Sequence, residues 1–162
     1  MSLARRLGLD VPAVSKGVAG KSDYFLVERY DRIKHGDGRI ERIHQEDFCQ
    51  ALNVSPELKY EEEGGPGISH CQELIQRTTG RPAAEMLRFQ QMLIFHYLIG
   101  NADAHAKNYA PLHRGKVPDL AQYDRLSFST DRVARRRALL RFFAWASNLP
   151  HLRDLSCPNY SR

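Results

Sequence analysis

The longest periodic stretch of the chain lies between residues 83 and 99. Met86, Phe89, Leu93 and Tyr97 recur at steps of three and four, and Met92, His96 and Ile99 widen the stripe. That spacing predicts a central, mostly buried helix over Ala83 to Ile99, closed by Gly100-Asn101. A second helix is predicted over Ile68 to Thr79, with Ile68, Cys71, Leu74 and Ile75 on one face and a stop at Gly80 and Pro82. Leu3 to Leu9 reads as the end of a helix with Gly8 as its stop, and Gln45 to Leu52 as a short one. Tyr24 to Tyr30 is rich in β-formers and predicts a strand. With Lys16 to Asp23 as a polar turn, Val11–Val14 would pair with Phe25–Val27 as a hairpin. His35-Gly-Asp-Gly38 is a turn, followed by a short strand from Arg39 to His44. Beyond the long helix, Asn101 to Asn108 is polar. Tyr109–Leu112 and Pro118–Ala121 then read as short strands joined at Arg114-Gly115-Lys116. The pattern as a whole is α+β, mainly helical.

Composition narrows the class. The 162 residues are 42% hydrophobic and 27% charged, which suits one globular domain or part of a larger one. The densest apolar run, Met86 to Ile99, is broken by Arg88, Gln90, Gln91 and His96, so it does not cross a membrane. Residues 1–10 have no apolar core of a secretory signal, and a cytoplasmic location is expected. Charge is uneven. Residues 1–130 balance 17 basic against 17 acidic side chains, whereas residues 131–162 hold seven arginines against Asp131 and Asp154. The basic excess therefore describes the tail and not the body, which weakens a nucleic-acid reading of the whole. Cys49, Cys71 and Cys157 form no metal-binding or disulfide spacing, and His44 and His70 have no partner at zinc-ligand spacing. Gly64-Gly65-Pro66-Gly67 lacks the lysine and preceding strand of a phosphate loop.

The chemistry is concentrated after the long helix. Asp103 and Asn108 stand five residues apart in a polar loop, and Asp124 follows the second hairpin. Phosphoryl transfer needs a carboxylate near the attacking hydroxyl and hard oxygen ligands for Mg²⁺, in this order along the chain. The spacing alone also suits a solvated loop. The H-R-D and D-F-G words of ordinary kinases are absent, since Gly100-Asn101-Ala102 precedes Asp103 and Arg125 follows Asp124.

The wording of the loop is more specific. Leu98-Ile-Gly-Asn-Ala-Asp-Ala-His-Ala-Lys-Asn-Tyr109 resembles the catalytic loop of the HipA family of serine/threonine kinases, toxins of bacterial toxin–antitoxin pairs. Val27-Glu-Arg-Tyr-Asp-Arg32 resembles that family's hinge strand. Gln45-Glu-Asp-Phe-Cys-Gln50, Lys59-Tyr-Glu61 with Gly64–Gly67, and Tyr123-Asp124 are similar to further blocks in the same order. The resemblance implies the C-terminal lobe of a kinase-like fold, over residues 1–130, with a hinge strand and small hairpins. It implies ATP as phosphoryl donor, Mg²⁺, and transfer to a protein hydroxyl. Asp103 would be the catalytic aspartate, with Lys107 near the transferred phosphate. Asn108 and Asp124 would hold the metal. Glu28, Arg29 and Tyr30 would form the adenine-facing hinge, and His105 and Tyr123 would line the nucleotide site. A helix-turn-helix antitoxin of the HipB-like kind would be the partner, with DNA reached only through it. The family's nucleotide-covering N-terminal lobe has no counterpart in these residues, and residues 131–162 carry no family word. An inactive remnant that still binds an antitoxin, and a basic DNA-associated module, therefore stand as alternatives.

Overall fold

The computed structural model describes residues 1–101 and 103–121. The expectations for Tyr123, Asp124 and the tail at 131–162 lie outside the described residues. Helix α1 spans Ser2–Arg6. Strands β1 (Val14–Ala19) and β2 (Ser22–Val27) form an antiparallel hairpin, and β3 (Arg32–Lys34) pairs with β4 (Ile40–Arg42). After β5 (His44–Gln45) come α2 (Phe48–Ala51), α3 (Ile68–Thr78) and α4 (Pro82–Ile99). Strands β6 (Pro111–His113) and β7 (Asp119–Leu120) then complete a three-stranded sheet in the order β5-β6-β7.

Helix α4 is the spine. Phe89, Met92 and Phe95 from its buried face meet Phe48 and Cys49 of α2 and Cys71, Leu74 and Ile75 of α3. Phe48, Phe89 and Tyr109 form an aromatic trio with ring centroids 4.9 to 6.0 Å apart. Burying one such ring stabilises the fold by roughly 2–3 kcal/mol. Pro82 occupies the first turn, where its missing N–H costs nothing, so α4 starts one residue before the periodicity predicts. Gly100 closes it in the left-handed region, at φ +67°. A polar knot fixes its first half. Glu85 is fully buried between Arg81 and Arg88, and Arg88 also reaches the Leu120 carbonyl at 3.1 Å and the Asp10 carboxylate. Helix α2 is too short to stand alone. It is held by a capping box in which Asp47 accepts the Gln50 N–H at 2.9 Å and Gln50 accepts the Asp47 N–H at 2.8 Å.

The strands depart most from expectation. The segment from Lys16 to Asp23 is mostly strand and not turn. Only Gly20-Lys21 reverse the chain, Gly20 at φ +63°, and Lys16 bridges Asp23 at 3.2 Å. The expected strand from Arg39 to His44 divides at Ile43, which is buried and donates its N–H to the Asp31 carbonyl at 3.0 Å. Arg42 and His44 consequently join different sheets. A mainly helical chain is not confirmed, because three small sheets accompany the four helices among the described residues. Within those residues no helix is long and apolar enough to cross a membrane.

Candidate functional site

The polar loop after α4 is built on two buried side chains. His96, on the last turn of the helix, accepts at Nδ1 from the Asn101 amide at 2.6 Å, and the Asn101 N–H binds the His96 carbonyl at 2.8 Å. Burial drives the His96 imidazole down to about 3, which keeps it neutral and able to accept. The Asn101 amide oxygen in turn accepts the Asp103 N–H at 3.2 Å. The loop therefore leaves the helix in one fixed direction.

Asp103 stands at its tip with its side chain 59% exposed. The Tyr60 hydroxyl donates to its Oδ1 at 3.2 Å, and His105 Nε2 lies 3.5 Å from the same oxygen. Asn108 folds back through a 3-10 turn, Ala106–Asn108, and donates its amide N–H to the Asp103 carbonyl. Its Oδ1 is buried and has no hydrogen-bond partner among the described residues. A buried amide oxygen left this way suits a hard cation, which prefers oxygen ligands. No group of three His, Cys, Asp or Glu that could hold a metal occurs among the described residues. Asp124, the second expected ligand, falls outside them.

Asn108 faces a polar cavity of about 410 Å³. Glu28, Arg29 and Tyr30 form one side of it, Lys107 and Asn108 another, and Gln45, Asp47 and Gln50 a third. Five of the expected site residues thus share one space. The Glu28 N–H is engaged by the Ala13 carbonyl at 2.8 Å, and the Tyr30 carbonyl accepts from Arg114 at 3.2 Å. The Arg29 guanidinium grips the buried Asp31 through two bonds, at 2.8 and 2.6 Å, and with Arg32 holds that carboxyl below its ordinary range. His105 points elsewhere. Its side chain is only 7% exposed and lines a smaller, mostly apolar cavity of about 90 Å³ with Tyr60, His96 and Cys71.

Sequence reasoning missed Gln45, whose Oε1 is also buried without a partner among the described residues, and Tyr60 and Asn101. Gln45 and Tyr60 lie in the two blocks at 45–50 and 59–61 that accompany the loop, which was the available signal.

Comparison with known proteins gives concordant findings. A family model described as a HipA-like C-terminal domain matches residues 1–147. The chain is 48% identical over 128 residues to Y4mE of Sinorhizobium fredii, whose name carries the word kinase, covering 78% of this chain and 30% of Y4mE. It is 36% identical over 121 residues to the serine/threonine-protein kinase toxin HipA of Shewanella oneidensis, covering 68% of this chain and 28% of that protein. The solved complex of HipA, HipB and operator DNA from Shewanella oneidensis aligns with a TM-score of 0.65 at 32% identity, over 79% of this chain and 33% of that chain. The Helicobacter pylori proinflammatory kinase CtkA shares the fold, with a TM-score of 0.58 at 21% identity over 92% of this chain and 53% of that one. The chain spans less than a third of the length of the two curated relatives.

Proposed function

The chain belongs to the family of HipA-like C-terminal domains, and from that premise we propose that it carries the catalytic loop and one nucleotide-facing wall of an ATP- and Mg²⁺-dependent serine/threonine protein kinase. Asp103 orients the attacking protein hydroxyl and takes its proton. Lys107 offsets charge on the transferred phosphate. Asn108 and Asp124 hold Mg²⁺, which supplies charge neutralisation on the phosphates when bound. The segment Glu28–Tyr30 meets the adenine, with Tyr123 as a flanking residue, while His105 lies in the separate apolar cavity.

The observation that carries this reading is the polar cavity. It joins the 28–30 segment to Lys107 and to Asn108, whose side-chain oxygen is buried without a partner among the described residues. A solvated loop with capping roles would have no reason to bury that oxygen. The test is calorimetry of ATP binding to the purified chain with and without Mg²⁺. Mg²⁺-dependent binding that disappears in Asn108→Ala and Asp124→Ala is expected. A folded wild-type chain that binds no ATP would sink the reading.

That second outcome would leave a chain that keeps the fold and an antitoxin surface without the activity. The partner under either reading is a helix-turn-helix antitoxin of the HipB kind, since a HipA–HipB–DNA complex is a structural neighbour. DNA is then contacted through the antitoxin. A shared peak on gel filtration after co-expression is the expected result.

A further inference from the structure

The glycine run at 64–67 takes no part in the polar cavity, yet its geometry is tightly specified. We propose that this loop and Tyr60 form a brace that fixes the carboxylate of Asp103, which makes Tyr60 a positioning residue for phosphoryl transfer. The inference rests on the kinase reading of Asp103 and adds the element that aims it.

The contact spans 43 positions of sequence, so something must bring Tyr60 to the loop and keep it there. The backbone does the first part. Gly64 adopts φ +89°, and the N–H groups of Glu63 and Gly65 both fold back onto the Tyr60 carbonyl, at 3.1 and 2.9 Å. Gly65 passes so close to the preceding strand of chain that a Cβ there would lie 2.1 Å from the Leu58 carbonyl oxygen and 2.7 Å from that of Tyr60. Both neighbours are backbone, and neither can swing away. No residue but glycine fits this turn without moving residues 58–60.

The ring is then held from two directions. The Lys59 ammonium sits 4.9 Å from its centroid, and the His105 ring meets it edge-on at 5.2 Å. With the ring so placed, the Tyr60 hydroxyl and His105 Nε2 both address Oδ1 of Asp103. Oδ2 is then the oxygen presented to an incoming hydroxyl. Asp103 is more than half exposed, so a hydrogen bond from a freely moving side chain, competing with water, would orient it poorly. A donor carried by a ring already immobilised, with His105 Nε2 beside the same oxygen, removes rotational freedom before substrate arrives.

The test compares wild type, Tyr60→Phe, Gly65→Ala and Asp103→Ala in the full chain. Tyr60→Phe keeps the ring and removes only the hydroxyl. The carboxyl carbon resonance of Asp103 is followed by NMR, beside steady-state phosphotransfer with ATP and Mg²⁺. The Asp103 resonance is expected to move in Tyr60→Phe and in the same direction in Gly65→Ala. Both variants should lose about tenfold or more in kcat with KM for ATP held within about twofold. An Asp103 resonance unmoved in Tyr60→Phe overturns the brace, whatever the kinetics. A moved resonance with unchanged kcat overturns the positioning role. Wild-type turnover no greater than that of Asp103→Ala defeats the kinase reading and this proposal with it, and the resonance then reports whether the contact itself exists.

Discussion

The single residue with the largest predicted leverage on the loop is His96. Its ring is buried and serves as acceptor for Asn101, which in turn holds the Asp103 N–H. In the unfolded chain this imidazole takes up a proton near 6.5, whereas in the folded chain it does so only at about 3. The unfolded state therefore binds more protons between those values. Its contribution to stability is complete above about pH 6.5 and is lost as pH falls toward 3, by at most about 5 kcal/mol. His96→Gln keeps an acceptor and removes the titration. Urea unfolding should show wild type more stable than this variant at pH 7, with the gap narrowing by pH 4.5. A gap independent of pH would count against a neutral buried ring. None of this was legible from sequence, because a histidine on an apolar stripe reads as filler until the ring's partner is known. Asp103 and Asn108, by contrast, were visible from their spacing and from the words around them.

At the level of elements, the two long helices were readable because each has one face that must be buried. The periodicity of α3 and α4 predicts their boundaries to within a residue. The strands were harder for the same reason in reverse. No residue of β1 or β2 is buried, so no alternation marks where pairing begins. Pairing of β5 with β6 joins His44 to His113, and nothing local to either segment encodes that partnership. Also invisible was the knot on α4. Glu85 is completely buried, and two arginines compensate its charge, one of them tying α4 to Asp10 and to β7. Removing one partner strands a carboxylate. Arg88→Met should destabilise the fold by about 3 kcal/mol, and Glu85→Met/Arg88→Met should recover much of the loss. Denaturant midpoints of the three chains decide it, and a double variant no better than the single would show that packing and not charge is at stake.

For the molecule as a whole, the candidate site is a product of three separated stretches. The 28–30 segment, the block at 45–50 and the loop at 101–108 converge on one polar cavity only because α2 is capped in place and β5 pairs with β6. Sequence order could supply the roles through resemblance, but it could not place His105 in the smaller apolar cavity or Gln45 in the polar one. The formal charge of residues 1–130 is balanced, so under the proposed function attraction to a polyphosphate would come from local placement, that of Lys107 included.

The β1–β2 hairpin carries a consequence in time. Two strands with no buried residue lack the packed face that gives a hairpin independent stability. Its amides should exchange with deuterium orders of magnitude faster than those of α3 and α4, opening on their own clock while the helical core stays shut. The 28–30 segment hangs directly from β2, so one wall of the polar cavity inherits that rhythm. Under the proposed function, a nucleotide bound there would still it. Exchange at 22–30, measured with and without ATP and Mg²⁺, should slow on binding while the rates in α3 and α4 stay as they were.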